Sequence, residues 1–210
     1  AYATRGDNIY VNLFLNSEVT FHSKDRELTL SQQSNYPWEG QVRLEILNSK
    51  PADATICIRI PGWAQNRPVP SDLFDFTDRQ EQNFSLQVNG KQIQTKTANG
   101  YVSLKGRWKE GDVIKLNLPM EAKIITANEN VVQKAGLSAV QFGPVIYCAE
   151  EVDNEVDVLD ALIKDDSEFK NHYKPDLLGG VNMLEGEDLK LIPYYAWANR
   201  DIGKMNVWFK

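Results

Sequence analysis

Residue types that could carry out a reaction are few in this chain, and none stands in a catalytic spacing. The two histidines, His22 and His172, have no second histidine or cysteine at the separations that place ligands on one metal ion. No Gly-x-Ser-x-Gly motif is present to support an acyl-transfer nucleophile. Gly179-Gly180 lacks the Lys-Ser/Thr pair of a phosphate-binding loop and indicates a turn. The sequence therefore predicts no catalytic, cofactor-binding or metal-binding residue.

The two cysteines also lack a chemical context. Cys57 lies in the alternating stretch Ala54–Ile60, and Cys148 follows Val145-Ile146-Tyr147. Free cysteine is among the most buried residue types, and two isolated cysteines make neither a disulfide framework nor a zinc site. We therefore expect both to be buried strand residues.

Four closely spaced acids lie in a polar stretch from residue 65 to 83: Asp72, Asp75, Asp78 and Glu81. A calcium loop needs oxygen ligands at about every second position and a glycine at its bend. Here two phenylalanines interrupt the acids and no glycine is present. The stretch is therefore interpreted as a long surface loop.

Aromatic residues in turn-rich, proline-containing phrases are the remaining candidates for a site. They are Trp38, Trp63, Tyr194, Tyr195 and Trp197. Aromatic faces can pack against the C–H faces of sugar rings, but tryptophan and tyrosine are also enriched at protein interfaces. We favour packing between domains and keep sugar binding as the alternative.

The overall composition excludes several classes of partner. A net charge of −6 and a pI near 5.0 argue against nucleic acid, because phosphate binding requires a basic surface. No apolar run approaches the roughly 20 residues that span a bilayer, which predicts no membrane association. The first residues contain no apolar core of a signal peptide. The sequence leaves the cellular compartment open.

Alternation of apolar and polar residues predicts an all-β protein. Ile9 to Leu15 places its apolar residues at every second position, and Val42 to Ile46 does the same. Asn89-Gly90 predicts a type I′ hairpin turn. Helical turns are expected only at Val156–Lys164 and Ser167–Tyr173. The spacing predicts two consecutive antiparallel, jelly-roll-like β-sandwich domains, residues 1–121 and 122–210.

Several phrases together resemble landmarks of glycoside hydrolase family 127, the β-L-arabinofuranosidase family. They follow the family's order and span nearly the whole chain: Ile9–Phe14, Asn35–Gly40, Arg59–Ala64, Gln141–Tyr147 and Ile192–Arg200. The resemblance implies an (α/α)₆ catalytic barrel followed by two β-sandwiches, of which this chain resembles only the sandwiches. It also implies a zinc-bound cysteine nucleophile and an acid/base glutamate in that barrel. Cys57 and Cys148 match no part of that motif.

The resemblance leads to a specific expectation for function. We expect a non-catalytic accessory region that packs against and supports the barrel of the same polypeptide, and that is inactive by itself. The resemblance implies that the full-length parent removes β-L-arabinofuranosyl groups from plant glycans and holds zinc in its barrel. The compartment stays open, and a periplasmic or secreted parent is compatible with the sequence. The alternative is a carbohydrate-binding module for arabinose-containing plant glycans.

Overall fold

The computed structural model describes residues 1–23, 26–49, 52–78, 84–94 and 96–210. Regular structure there consists of β-strands and short 3₁₀ helices, arranged as several antiparallel sheets, one of which curls into a half-barrel. The all-β prediction is confirmed. Within the same ranges, no helix has the length and apolar character needed to cross a bilayer.

The strands are numbered in chain order. They are β1 (Tyr2–Arg5), β2 (Asn8–Val11), β3 (Ser17–Ser23), β4 (Arg26–Ser34), β5 (Gln41–Ser49), β6 (Ala52–Arg59), β7 (Phe74–Phe76), β8 (Ser85–Val88), β9 (Lys91–Gln92), β10 (Tyr101–Trp108), β11 (Val113–Asn117), β12 (Ala122–Ala127), β13 (Ser138–Phe142), β14 (Val145–Glu150), β15 (Lys170–Lys174), β16 (Val181–Glu185), β17 (Lys190–Pro193) and β18 (Met205–Asn206). The 3₁₀ helices are Trp63–Gln65, Val132–Lys134, Glu151–Asp153 and Tyr194–Ala196.

The chain divides into two compact units. Unit 1 comprises Ala1–Gln65 and Gln82–Pro119, and unit 2 comprises Asn66–Glu81 and Met120–Lys210. The chain therefore passes into unit 2, returns to unit 1 and then enters unit 2 again. The sequence predicts a single boundary after residue 121 and gives no sign of this excursion.

Unit 1 contains two sheets. Their strand orders are β1-β2-β6-β10 and β3-β4-β5-β11-β8-β9, and the β2–β6 pair is parallel. Period-two alternation gives each sheet a buried apolar row, such as Ile56 and Ile58 on β6 and Leu44 and Ile46 on β5. Full burial of each such side chain contributes about 1.5–3 kcal/mol, so these rows supply much of the stability of the unit.

The predicted Asn-Gly hairpin in unit 1 is confirmed. Asn89 and Gly90 have φ angles of 49° and 77°, and β8 pairs with β9 in the register Val88↔Lys91. Positive φ at both central residues is the signature of a type I′ turn. The Asn89 side chain also donates to Asp112 (2.9 Å) and accepts from the Val113 amide (2.8 Å), which ties the turn to β11.

Unit 2 is built on one eight-stranded sheet. Its order is β15-β16-β17-β14-β13-β12-β7, with β18 paired to β14. The buried cluster against this sheet includes Val140, Tyr147, Leu191 and Phe209. Each of these side chains is fully buried.

Both predicted helical turns are wrong. Residues 156–164 form turns and irregular backbone, and Val158 and Ile163 point into the core of unit 2. Lys170–Lys174 is a strand that pairs antiparallel with β16, in the register His172↔Met183. Pairing with β16 provides hydrogen-bond partners for the backbone of this polar segment. This long-range pairing outweighs the weak local tendency to form a helical turn.

The predicted alternation from Ile9 to Leu15 ends early. Strand β2 stops at Val11, and beyond it Phe14 is buried while Leu13 and Leu15 are about half exposed. The side chain of Gln32 donates to the carbonyls of Leu13 (3.0 Å) and Leu15 (2.6 Å). These carbonyls therefore bond to a side chain instead of to a neighbouring strand. The segment after Val11 leaves the sheet and places Phe14 in the interior.

The polar stretch interpreted as a surface loop is partly a strand. Within residues 66–78, β7 pairs with β12 in the register Phe76↔Ile125, and the Phe76 side chain is buried. The two phenylalanines that interrupt the acids are therefore the residues of a sheet edge in unit 2. Residues 79–83, with Glu81 among them, lie outside the described part of the chain.

Candidate functional site

An aromatic cluster in unit 1 brings together three of the phrases that carry the family resemblance. The rings of Phe14 and Tyr36 meet edge to face, with centroids 5.5 Å apart. The indole nitrogen of Trp63 donates to the Tyr36 hydroxyl at 3.3 Å, and Trp63 is only 7% exposed. Burial raises the pKa of Tyr36 above its usual value. Trp63 therefore fills the interior of unit 1 and cannot present its face to a sugar, whereas Trp38 is half-buried.

A second aromatic group, in unit 2, is exposed. Tyr194, Tyr195 and Trp197 have exposed fractions of 43%, 57% and 42%. Trp197 follows the 3₁₀ helix Tyr194–Ala196 in an extended conformation, and its amide donates to the Tyr194 carbonyl at 3.3 Å. The rings of Tyr194 and Trp197 are parallel within 1°, with centroids 6.3 Å apart. We call this pair the aromatic platform.

A charged network fixes the backbone around the platform. The Arg200 guanidinium donates to both oxygens of Asp153 (2.7 and 2.5 Å) and also to Glu150. The second Glu150 oxygen accepts a hydrogen bond from the Ala198 amide at 2.8 Å. These hydrogen bonds to carboxylates raise the pKa of Arg200 above its usual value. The turn that carries the platform is thus clamped to the end of β14.

An apolar groove of about 370 Å³ adjoins the platform. Eight residues line this Trp208 groove: Val69, Phe74, Ile125, Ala139, Ile146, Tyr194, Val207 and Trp208. Phe74 and Trp208 pack with ring centroids 5.6 Å apart, and the Lys134 ammonium lies 5.5 Å from the Trp208 ring centroid. Tyr194 belongs to both the groove and the platform, so the two form one continuous aromatic surface.

A larger cavity of about 550 Å³ lies between residues 162–169 and the turn 186–189. Its rim carries several acids, including Glu168 and Glu187. Among the residues that the structure describes, no group of three or more His, Cys, Asp or Glu side chains could hold a metal ion. The acidic rim is therefore a solvated surface feature.

Both cysteines are free and buried, as predicted. The Cys57 sulfur lies 3.5 Å from the Ser103 hydroxyl. Burial, reinforced by the negative charge of Glu150, raises the pKa of Cys148 to about 12. A zinc–thiolate centre requires several deprotonated thiols that converge on one ion. The residues of this chain do not fit such a centre.

The histidines and the acids of the polar stretch are dispersed. His22 and His172 lie on strands, each within 3.8 Å of a glutamate oxygen, Glu27 and Glu185 respectively. The side chains of Asp72, Asp75 and Asp78 are exposed. No common focus of these side chains is present in the described ranges.

Two features were not found from the sequence. The trio of Glu150, Asp153 and Arg200 joins residues about fifty positions apart, and no local spacing marks such a contact. Lys123 is buried beside the Phe76 ring (5.3 Å to its centroid), with the Asn66 side-chain oxygen 3.3 Å from its ammonium. Lys123 directly precedes the buried residues Ile124 and Ile125, and sequence alone gives no sign of its burial because lysine is ordinarily at the surface.

Comparison with known proteins agrees with this architecture. Residues 8–120 match the family model described as β-L-arabinofuranosidase, GH127 middle domain. Residues 122–210 match the glycoside hydrolase family 127 C-terminal domain. The chain belongs to glycoside hydrolase family 127, and the resemblance noted from the sequence is confirmed.

Three similar proteins show how much of a relative this chain spans. A non-reducing end β-L-arabinofuranosidase of Bifidobacterium longum subsp. longum is 32% identical over 96% of this chain and 33% of its own length. A solved GH127 β-arabinofuranosidase is 36% identical, with a TM-score of 0.92 over 99% of this chain and 35% of that one. The GH127 β-L-arabinofuranosidase of Geobacillus stearothermophilus T6 is 30% identical, with a TM-score of 0.86 over 100% and 34%. The chain thus spans about a third of the length of these relatives.

Proposed function

We propose that this chain is the non-catalytic accessory region of a larger β-L-arabinofuranosidase-like glycoside hydrolase. In this role it packs against a catalytic domain of the same polypeptide and supports its fold. The observation that carries the proposal is coverage: the chain matches nearly end to end, yet fills only about a third of single-chain relatives named as arabinofuranosidases. The remaining two thirds of such a protein would contain the catalytic domain.

The chemistry of the described residues supports this division. Glycoside hydrolysis ordinarily requires two carboxyl groups that flank the scissile bond in a cleft. Glu150, which is buried, and Asp153, which is partly buried, instead accept hydrogen bonds from Arg200, and Glu150 also accepts one from the Ala198 amide. Their oxygens hold a turn in place. They are therefore not arranged to face a substrate.

The same division applies to the metal that the family resemblance implies. Zinc and its cysteine nucleophile would belong to the catalytic domain, and the metal would supply activation of the thiol there. Cys57 and Cys148 are buried in separate units, and protonation of Cys148 further disfavours metal binding. This chain would contribute stability and shape to the complete enzyme, and no ligand to the metal.

Calorimetric unfolding of this chain alone and of the complete protein tests the accessory role. If the catalytic domain packs on this region, the region should unfold at a higher temperature in the complete protein than alone. The contacts between the two exist only in the folded state and therefore stabilise it. A transition at the same temperature in both proteins would contradict the proposal. So would a gene that encodes no further domain.

The aromatic platform supports a second candidate function, binding of arabinose-containing plant glycans. Tyr194 and Trp197 are exposed and parallel, an arrangement that can pack against sugar rings. Titration calorimetry with arabinose-containing and arabinose-free oligosaccharides would test it. Saturable heat that Trp197→Ala removes, and that Tyr173→Ala on β15 retains, would support binding at the platform. Absence of heat across the panel would contradict it.

A further inference from the structure

The aromatic platform and the Trp208 groove leave a continuous apolar surface exposed on unit 2. Tyr194 joins the two parts, since it stacks on Trp197 and also lines the groove beside Trp208. Trp197, which is 42% exposed, extends this aromatic area beyond the groove. Exposed apolar surface of this kind commonly marks a site of protein interaction or ligand binding.

The chemistry of the groove favours an apolar occupant. Val69, Ile146 and Val207 present only carbon atoms to it. Sugar rings carry several hydroxyl groups, each of which loses hydrogen bonds to water on burial and requires a replacement. The named lining side chains offer such replacements only through Tyr194 and Trp208. Aliphatic or aromatic side chains of a protein fit this groove better than a glycan does.

The turn beside the groove is already held in one conformation before any partner binds. Arg200, through Glu150 and Asp153, clamps the turn that carries Tyr194 and Trp197. A surface that is already ordered loses little conformational entropy when a partner binds. Tyrosine and tryptophan in such positions are the residues that most often dominate binding energy at interfaces.

We propose that an apolar segment of the catalytic domain of the same polypeptide occupies the Trp208 groove and covers the aromatic platform. This inference rests on the proposed accessory function. Relatives carry the equivalent region within single chains about three times as long, so the remainder is tethered to this surface. Tethering creates an effective concentration in the millimolar range for short flexible links, which favours this partner over one that must diffuse to the groove.

Hydroxyl-radical footprinting of the complete protein and of this chain tests the inference. Oxidation of Tyr194, Trp197 and Trp208 should fall at least fivefold in the complete protein, while exposed Tyr173 on β15 reports the unshielded rate. Protection confined to other side chains would overturn the groove assignment but leave the accessory function intact. Protection nowhere would overturn both. Protection that instead appears in this chain alone as its concentration rises would identify a second copy as the occupant and overturn the assignment.

A matched pair of variants gives an independent test. Tyr194→Glu places a charge in the groove, whereas Tyr195→Glu places the same charge on the next residue, which does not line it. In the complete protein, Tyr194→Glu should lower the melting temperature several degrees more than Tyr195→Glu. In this chain alone the two variants should melt within a degree or two of each other. Equal effects in the complete protein would overturn the inference.

Discussion

Arg200 is the residue on which the exposed aromatic turn depends. Its side chain is 17% exposed, and those of its partners Glu150 and Asp153 are 8% and 12% exposed. A largely buried ion-pair network contributes little net stability compared with apolar residues in the same positions. Loss of one partner, however, leaves the remaining charges unpaired and destabilises the folded state. The turn is therefore sensitive to substitution of Arg200 alone.

Arg200→Met should lower the free energy of unfolding by about 3–5 kcal/mol, since it leaves the buried Glu150 and the partly buried Asp153 without their partner. Urea unfolding followed by tryptophan fluorescence measures this. Lys210→Met is the matched control: Lys210 pairs with Asp160 at 2.7 Å, but both side chains are more than half exposed. Its loss should cost less than about 1 kcal/mol. Equal effects of the two substitutions would contradict the structural role of Arg200.

Cys148 should be chemically inert in the folded protein. Its pKa of about 12 leaves about one thiol in ten thousand deprotonated at pH 8, and the thiolate is the form that reacts. Iodoacetamide at pH 8 should therefore label Cys148 only after denaturation, as read by mass spectrometry of its peptide. Labelling in the native protein at the rate of an exposed thiol would contradict the assignment.

At the scale of elements, the Asn89-Gly90 turn sets the geometry of the hairpin between β8 and β9. Both residues of the Asn89-Gly90 turn have positive φ angles. In this region the backbone of residues other than glycine and asparagine is strained. The Cβ of an added alanine at Gly90 meets no atom within 4 Å, so any cost of the substitution comes from the backbone.

Gly90→Ala should destabilise the protein by about 1–2 kcal/mol through this strain. Gly106→Ala on β10 is the control, because its φ is not in the left-handed region and its added Cβ would meet the Trp108 ring at an ordinary 3.7 Å. That substitution should be neutral or slightly stabilising, since alanine loses less backbone entropy on folding. Thermal melts of both variants distinguish them, and a neutral Gly90→Ala would show that the turn relaxes to another type.

The elements that the sequence predicts well are those with a local cause. Alternation in Val42–Ile46 and the Asn89-Gly90 dipeptide each specify their own structure, because side-chain period and turn geometry are properties of a few adjacent residues. Phe74 and Phe76 were misread because their partner strand begins some forty-five residues later, at Ala122. Lys170–Lys174 was misread for a related reason, since only pairing with β16 makes this polar segment a strand.

The sequence proposes five aromatic residues as candidates for a site, but it cannot separate buried Trp63 from exposed Trp197. That difference arises from long-range contacts: the Tyr36 hydroxyl reaches Trp63, and Arg200 holds the turn of Trp197 against β14. Such contacts have no local signature.

At the scale of the whole molecule, the chain consists of two units that belong to a family of glycoside hydrolases but spans about a third of its relatives. Among the candidate aromatics, Trp63 of unit 1 is buried, whereas Tyr194, Tyr195 and Trp197 of unit 2 are exposed and available for contact. The proposed division of labour follows: this region supports, and another domain catalyses.

Hydrolysis of 4-nitrophenyl β-L-arabinofuranoside by this chain and by the complete protein, at equal molar concentration, tests that division most directly. The complete protein should release nitrophenol, and this chain should release none above the buffer rate, because its buried acids hold a turn and its cysteines are buried in separate units. Hydrolysis by this chain that follows its elution profile through purification would contradict the account.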